Sequence, residues 1–371
     1  MSPLFSTWRL GSLELPNRIV IAPMCQYSAV DGVPQDWHTV HYGSLAMSGA
    51  GLLIMEATGV NAEGRITAGC TGLWNDAQEA TFARLNGVLR KHGAAKLALQ
   101  LGHAGRKASS RVPWDSGRQI RAGEPGHWPA VAPSALVHID GEEPPQALDA
   151  AGLRSIRQAF ADAAARAARA GFDGIELHAA HGYLLHQFLS PLSNQRSDAC
   201  GGTLEDRLRF PLECFEAARA AFPAERPVWV RVSATDWVDG GWDVASTIAF
   251  GQALKARGCA ALHVSSGGVS QRQQIPLGPG YQVPLAAAVK AGTGLPVIGV
   301  GLITEPEQAQ AVVAEGHADA VALGRAMLYD PRWPWHAAAK LGAQVSAPPP
   351  YWRSAPREVK DLFVGAKIGM R

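Results

Sequence analysis

The chain has 371 residues, 47% of them hydrophobic and 18% charged, a balance that supports a large core and excludes a disordered or low-complexity protein. Its formal net charge is only +2, without a basic tract or acidic tail, which excludes bulk attraction to nucleic acid or to a membrane surface as the basis of function. No run of about 18 apolar residues occurs, and Met1-Ser2-Pro3-Leu4-Phe5 lacks a charged n-region and a long apolar h-region, so neither a membrane span nor a signal peptide is expected. The five cysteines, Cys25, Cys70, Cys200, Cys214 and Cys259, form no C-x-x-C pair. They read as reduced thiols of a cytoplasmic protein, not as a zinc ribbon or an iron–sulfur cluster.

The first candidate strand is Ile19-Val20-Ile21-Ala22-Pro23-Met24, ending in Cys25-Gln26-Tyr27. A helical stretch follows and closes at Ser48-Gly49-Ala50-Gly51. Leu52-Leu53-Ile54-Met55 is the second strand, ending in Glu56-Ala57-Thr58. A helix through residues 82–92 stops at Gly93, and Lys96-Leu97-Ala98-Leu99 is the third strand, ending in Gln100 and then His103. The Trp-, Pro- and Gly-rich excursion over residues 109–143 reads as a long loop with little regular structure. Loops of that length in compact domains are usually lids or binding elements.

A helix resumes over residues 153–170, with Leu153, Ile156 and Phe160 on its apolar face, and ends at Gly171. The fourth strand, Gly174-Ile175-Glu176-Leu177, runs into His178-Ala179-Ala180-His181-Gly182-Tyr183. The next helix covers residues 204–222, and Pro227-Val228-Trp229-Val230 is the fifth strand, ending in Arg231. A helix through Leu254 closes at Gly258 before the sixth strand, Ala261-Leu262-His263-Val264, which ends in Ser265-Ser266-Gly267-Gly268. Leu295-Pro296-Val297-Ile298 is the seventh, ending in Gly299-Val300-Gly301. A helix from Pro306 closes at Gly316, and Ala320-Val321-Ala322-Leu323 is the eighth, ending in Gly324-Arg325.

Helix, glycine, short turn and buried strand recur at Gly49, Gly93, Gly171, Gly258 and Gly316, where glycine suits the left-handed residue after a helix. Short continuous apolar strands alternating with helices imply a parallel sheet covered on both faces. Eight such units predict a single (β/α)8 barrel spanning residues 1–371, with the 109–143 insertion after strand three and a C-terminal extension over about residues 345–371. An open doubly wound sheet is the competing architecture, but no G-x-G-x-x-G opens a helix after the first strand. In a barrel, Cys25, Gln100, His178, Arg231, Ser265 and Arg325 converge on one mouth.

His178 and His181 admit a structural role, a metal site or acid–base chemistry. A barrel metallohydrolase using both as ligands is the alternative reading, but no H-x-H follows the first strand and cationic Arg231 and Arg325 occupy other strand ends. Arginines suit an anionic ligand. Glycine-lined loops after strands seven and eight are where many barrels hold phosphate through backbone N–H groups. A phosphate-bearing cofactor lying across the mouth would bring its far end to Pro23-Met24-Cys25, Ala57 and Gln100. Gln100 both donates and accepts, as an amide-rich ring edge requires, and Arg231 suits a ring that becomes anionic on reduction. These demands match a flavin mononucleotide. A 2-hydroxy-acid oxidase of the same fold would want one histidine base and an arginine pair, which H-x-x-H-x-Tyr fits less well. A non-catalytic barrel would not need so many polar strand ends.

Several signatures occur in order along the chain: Asn17-Arg18-Ile19-Val20-Ile21-Ala22-Pro23-Met24-Cys25-Gln26-Tyr27, Gln100-Leu101-Gly102-His103-Ala104-Gly105-Arg106-Lys107, His178-Ala179-Ala180-His181-Gly182-Tyr183-Leu184, Phe188-Leu189-Ser190-Pro191-Leu192-Ser193-Asn194, Arg231-Val232-Ser233 and Gly324-Arg325. With them the chain resembles the Old Yellow Enzyme family of FMN-dependent ene-reductases, and more narrowly its thermophilic-like class, which includes xenobiotic reductases and carries a cysteine near the flavin. The resemblance implies FMN held by Ala22, Pro23, Met24, Cys25, Ala57, Gln100, Arg231, Val300, Gly301, Gly324 and Arg325. It implies a ping-pong cycle in which NADPH or NADH delivers hydride to the flavin. An α,β-unsaturated carbonyl compound, a quinone or a nitro compound then takes its place. His178 and His181 match the pair that hydrogen-bonds the substrate carbonyl, Tyr183 the proton donor, Tyr27 a second substrate contact, and Cys25 a position that tunes the flavin. Lys107, on the loop past strand three, is placed to help close the site.

Two departures stand out. The family often reads Asp-x-Tyr-Gly-Gly where this chain has Asp198-Ala199-Cys200-Gly201-Gly202, a change expected to touch local packing. Pro350-Tyr351-Trp352-Arg353 matches the region where relatives send an arginine or tryptophan into a neighbour's site, so Arg353 is the expected intersubunit finger of a homodimer or homotetramer. No metal, nucleic acid or membrane partner is expected.

Overall fold

The computed structural model describes residues 2–359 and 361–367. Eight parallel strands close into a barrel: β1 (Ile19–Ile21), β2 (Leu52–Gly59), β3 (Lys96–Gly102), β4 (Gly174–Ala179), β5 (Val228–Ser233), β6 (Leu262–Ser265), β7 (Val297–Gly299) and β8 (Ala320–Leu323). Each pairs with the next in sequence, and β8 returns to β1 through Val321↔Ile19, Ala322↔Val20 and Leu323↔Ile21. Around them lie α1 (Asp36–Ala46), α2 (Asp76–His92), α3 (Ala150–Arg169), α4 (Leu184–Leu189), α5 (Leu204–Ala221), α6 (Val244–Lys255), α7 (Val283–Thr293), α8 (Pro306–Ala314), α9 (Arg325–Tyr329) and α10 (Trp333–Leu341).

Local chemistry fixes the helices. Asn75 and Gln78 form a reciprocal capping box at the start of α2, with Asp76 and Glu79 in the first turn and Arg90, Lys91 and His92 in the last, as the helix dipole favours. Asp149, Thr203 and Asp243 cap α3, α5 and α6 by accepting from the N–H groups of Gly152, Asp206 and Ser246. Ile156, Phe160, Ala163, Ala164 and Ala167 make the buried face of α3, and the small alanines let α5 pack closely against it.

The glycine rule holds at four of its five positions. Gly49, Gly171, Gly258 and Gly316 have φ of 85°, 86°, 81° and 75°. Gly93 does not: its φ is −114°, and glycine is required there because a Cβ would lie 2.5 Å from the Ala46 carbonyl oxygen at the end of α1. Gly294 and Gly342, both at φ 62°, supply left-handed caps to α7 and α10, two helices the hydrophobic pattern did not announce. Strand bounds differ too. The polar Glu56-Ala57-Thr58 stretch remains in β2 across a register shift between Met55 and Ala57, whereas β1 stops at Ile21 because Pro23 follows.

Two three-residue strands, Trp8–Leu10 and Leu13–Leu15, form a hairpin at the amino-terminal end of the barrel. Leu10 and Leu15 are fully buried, and the turn at Gly11 abuts Pro227 and Ala260, which precede β5 and β6. The 109–143 excursion is irregular apart from an isolated Ser110↔Gln119 bridge and the pairing of Val131–Ala132 with Gln146–Ala147. The C-terminal stretch folds back over α10, where Trp335, Val345, Leu362 and Phe363 form a small second core. Lys360 and residues 368–371 of the expected extension lie outside the described residues. No described helix is long and apolar enough to cross a membrane.

Candidate active site

Strand periodicity puts alternate residues inside the barrel. On β4 these are Glu176 and His178, on β5 Trp229, Arg231 and Ser233, on β6 His263 and Ser265. Register aligns Gln100 with Glu176, Glu176 with Trp229, and His178 and His263 with Arg231. The interior therefore has a polar layer beneath its mouth.

Past β4 the chain turns sharply. His181 (φ 58°) and Gly182 (φ 74°) are both left-handed, and a Cβ on Gly182 would lie 2.1 Å from the Gly268 carbonyl oxygen. The turn brings three rings together: His178 lies edge-on to His181 at 5.2 Å between centroids and to Tyr183 at 4.8 Å. His178 Nδ1 accepts the Ala180 N–H at 3.2 Å, which leaves its proton on Nε2 as a donor. His181 Nε2 lies 2.7 Å from the Ser265 hydroxyl, and its backbone N–H donates to Ser233 Oγ. Burial pushes both imidazoles well below the ordinary histidine pKa, with Arg231 and Lys107 adding to the effect, so both are neutral at pH 7. Burial holds Tyr183 well above its usual pKa, so its phenol keeps its proton.

A second tier supports this turn. Gly182 N–H donates to His186 Nδ1 at 2.9 Å, and His186 Nε2 lies 2.9 Å from Asp236 Oδ1. Asp236 Oδ2 accepts from Ser190 Oγ and the Trp242 N–H, and Asp236 and His186 are both fully buried. Lys107 Nζ donates to the carbonyls of His181 (2.9 Å) and Gly268 (3.3 Å) and lies 5.0 Å over the Tyr183 ring. Burial, then Arg106, brings Lys107 down to a pKa of about 8. Lys107 thus ties the turn after β4 to the loop after β6.

Among residues that no strand end announces, Glu176 and His263 are the most prominent. Glu176 is fully buried and accepts from Gln100 Nε2 (2.7 Å), Trp229 Nε1 (2.7 Å) and His263 Nδ1 (2.8 Å). Burial alone would raise its pKa, but His263 and Arg231 hold it below the ordinary value, so it is ionised. Period-two spacing from His178, Arg231 and Ser265 is the signal that places Glu176, Trp229 and His263 inside.

The expected cofactor positions fall into two groups around the mouth. Ala22, Pro23, Met24 and Cys25 lead out of β1, where the Ala22 N–H donates to the Leu323 carbonyl of β8. The Cys25 segment is anchored by the Gln26 N–H on Glu56, a buried carboxylate that also accepts from Tyr42. Cys25 has Cys70 for a neighbour, which with burial raises its pKa well above the usual value. All five cysteines are unpaired. Ala57 and Cys70 share a cleft with His178 and Tyr183. Tyr27 (φ 53°) stacks edge-on against Trp114 from the long excursion, at 5.6 Å. Cys200 is buried in the main core, and its carbonyl accepts from Asn194, in keeping with a local packing role.

Further round the mouth, Arg231, Val300, Gly301, Gly324 and Arg325 line a cavity of about 190 Å³. Gly301 (φ 123°) leaves no room for a Cβ, which would meet Gln282 at 2.6 Å. At Gly324 a Cβ would meet only Met24 Sδ, at 3.6 Å, so the backbone there is open to the cavity. Gln282, unforeseen from sequence, is buried and bridges the loops after β6 and β7 through Ser266 Oγ and the Val300 carbonyl. Arg231 is nearly buried, and its Nε has no partner among the described residues. A buried, incompletely paired guanidinium beside open-backboned glycines fits an anionic, phosphate-bearing group, and Gln100 suits an amide-like ring edge. The donor set fits FMN. Arg353 is exposed on a 3-10 turn over Pro349–Ser354 and lines neither the His178–Tyr183 cleft nor the Arg231–Arg325 cavity of its own chain.

The family model for the NADH:flavin oxidoreductase / NADH oxidase family matches residues 3–344. The chain belongs to this family. It is 42% identical over 352 residues to an NADPH dehydrogenase of Geobacillus thermodenitrificans, covering 94% of this chain and 98% of that one. It is 41% identical over 356 residues to an NADPH dehydrogenase of Listeria monocytogenes, covering 95% and 99%. Among solved structures, morphinone reductase superposes with a TM-score of 0.76 at 31% identity, covering 99% of this chain and 94% of that one. The Old Yellow Enzyme resemblance therefore holds over the whole barrel. This flavin oxidoreductase uses FMN as cofactor and a nicotinamide nucleotide as hydride donor. The metallohydrolase alternative finds no support: His178 and His181 are engaged by Ala180 and Ser265, and the family is one of flavin enzymes.

Proposed function

We propose that the protein reduces the activated C=C bond of α,β-unsaturated carbonyl compounds in a ping-pong cycle with NADPH as donor. The observation that carries this is the convergence of two neutral imidazoles and a protonated phenol at the end of β4, beside Arg231. Bound FMN supplies the hydride acceptor and donor.

The chain's residues do the rest. Ala22, Pro23, Met24, Cys25, Ala57 and Gln100 hold the ring side of the cofactor, and Val300, Gly301, Gly324 and Arg325 its phosphate side, with Arg231 between. His178 donates from Nε2 to the substrate carbonyl oxygen. His181, steadied by Ser265, is its partner. Neutral imidazole donors stabilise the enolate-like charge that develops on that oxygen without forming a charged pair beforehand. Tyr183 delivers a proton to the α-carbon, and the Lys107 ammonium over its ring offsets the negative charge left on the phenolate. Tyr27 closes the outer wall against the substrate. The enzyme acts in the cytoplasm as a homodimer or homotetramer, with Arg353 reaching a neighbouring protomer's site.

The test is an anaerobic titration. NADPH should bleach the flavin absorbance of the purified enzyme, and cyclohexenone should restore it. Flavin that bleaches but is not reoxidised by enones, maleimides or quinones would refute the ene-reductase reading while leaving the flavin oxidoreductase intact.

A further inference from the structure

Glu176 lies in register between Gln100 and Trp229 and lines neither the His178–Tyr183 cleft nor the cavity at Arg231. A fully buried carboxylate is costly, and its presence calls for a reason. Its partners do not all require a charge. Trp229 and His263 donate to Oε2, and a neutral acceptor would serve both. Gln100 is different because its side chain has two faces, one that donates and one that accepts. Beside a neighbour that could also donate, such as an amide, the Gln100 carboxamide could turn over. Beside a carboxylate it cannot: Nε2 must donate to Glu176 Oε1, as it does at 2.7 Å, and the amide oxygen is left as the free acceptor. The oxidised isoalloxazine ring carries one N–H, at N3, and an amide oxygen is the group to receive it. Glu176 and Arg231 face inward from neighbouring strands, Glu176 aligned with Trp229 two residues before Arg231, so the same carboxylate places a negative charge near the cation beside the cofactor.

We propose that Glu176 is a positioning residue for the cofactor: it locks the Gln100 amide so that its oxygen faces the flavin, and it offsets the Arg231 charge that the flavin experiences. This rests on the reading that Gln100 and Arg231 face FMN.

The experiment measures FMN affinity of the apoprotein and the midpoint potential of the reconstituted enzyme. Glu176→Gln should weaken FMN by about tenfold, the scale of one charge-assisted hydrogen bond. It should also raise the midpoint potential, because Arg231 then favours the anionic reduced ring unopposed. Glu176→Asp keeps the charge but withdraws the oxygen from Gln100. It should weaken FMN similarly and leave the potential in place, and it serves as the binding test if Glu176→Gln does not fold. In a Gln100→Leu background neither change should weaken FMN further, because the effect on binding runs through Gln100. Trp229→Phe and His263→Asn, which remove donors without freeing Gln100, should leave FMN affinity near wild type. Affinity unchanged in both Glu176 variants, an unmoved potential in Glu176→Gln, full additivity with Gln100→Leu, or an equal loss in Trp229→Phe and His263→Asn would each overturn the proposal. If Gln100→Leu alone leaves FMN affinity unchanged, the underlying placement of Gln100 fails. A loss in Gln100→Leu without one in the Glu176 variants fails this inference alone.

Discussion

At the scale of single residues, burial keeps the three rings at the end of β4 uncharged. His178 and His181 are neutral because burial and nearby Arg231 disfavour a second cation. His178→Ala should slow the oxidative half-reaction by about 10²-fold, the range for losing one oxyanion donor, while FMN stays bound. Stopped-flow reoxidation by cyclohexenone measures this, and an unaltered rate removes the oxyanion role. Lys107 behaves oppositely. With its pKa near 8 it is charged below that pH and neutral above it. Reoxidation should therefore fall as pH rises through 8, and Lys107→Met should abolish that limb of the profile. For stability the sign reverses. Between about 8 and the ordinary lysine value near 10.4 the unfolded chain binds the extra proton, so this group alone makes folding more favourable as pH rises through that window. The sequence marked the residues that end strands, because His178, Arg231 and Arg325 interrupt apolar runs. It hid Glu176, embedded in Gly174-Ile175-Glu176-Leu177 and legible only through the two-residue repeat that makes it a neighbour of His178. Gln282 had no such pattern, since it sits in a loop and acquires its role through Ser266 and Val300.

At the scale of elements, the decisive piece is the turn from β4 into α4. Its left-handed residues place His181 and Tyr183 around His178, and the Gly268 carbonyl fills the space where a side chain at 182 would go. Gly182→Ala should lower stability by about 1–3 kcal/mol from backbone strain alone, and the clash with Gly268 adds to it. Thermal unfolding of the holoenzyme reads this, and a melting temperature within error of wild type contradicts the close approach. The pairing of strands with helices was readable because continuous apolar runs of strand length alternate with helical stretches and closing glycines. The amino-terminal hairpin was not readable, since two strands of three residues give no periodicity and are held by burial of Leu10 and Leu15 against the barrel end. Gly93 misled for a physical reason: the same residue type answers two demands, a left-handed cap and a close backbone approach, and only packing against Ala46 tells them apart.

At the scale of the whole molecule, the question is whether a site is complete within one chain. The described part of the C-terminal stretch is packed: Tyr351 lies against Trp335, Arg332 lies 4.6 Å over the Trp335 ring, and Val345 pairs with Phe363. This packing presents Arg353 to solvent, and it is not among the residues that line its own chain's cavity. An exposed arginine on a held turn suits a role in a second protomer. A mixing experiment decides it. Arg353→Ala and His178→Ala should each be impaired with enones. If Arg353 acts in its own chain, no subunit of a mixed dimer carries both wild-type residues, and mixing restores nothing. If it reaches across, the Arg353→Ala subunit keeps its own His178 and receives the wild-type arginine of its partner, so one site per mixed dimer regains full function. Unfolding, refolding and FMN loading of the two variants together should then yield activity that neither has alone, whereas activity equal to the average of the separate preparations would confine Arg353 to its own chain.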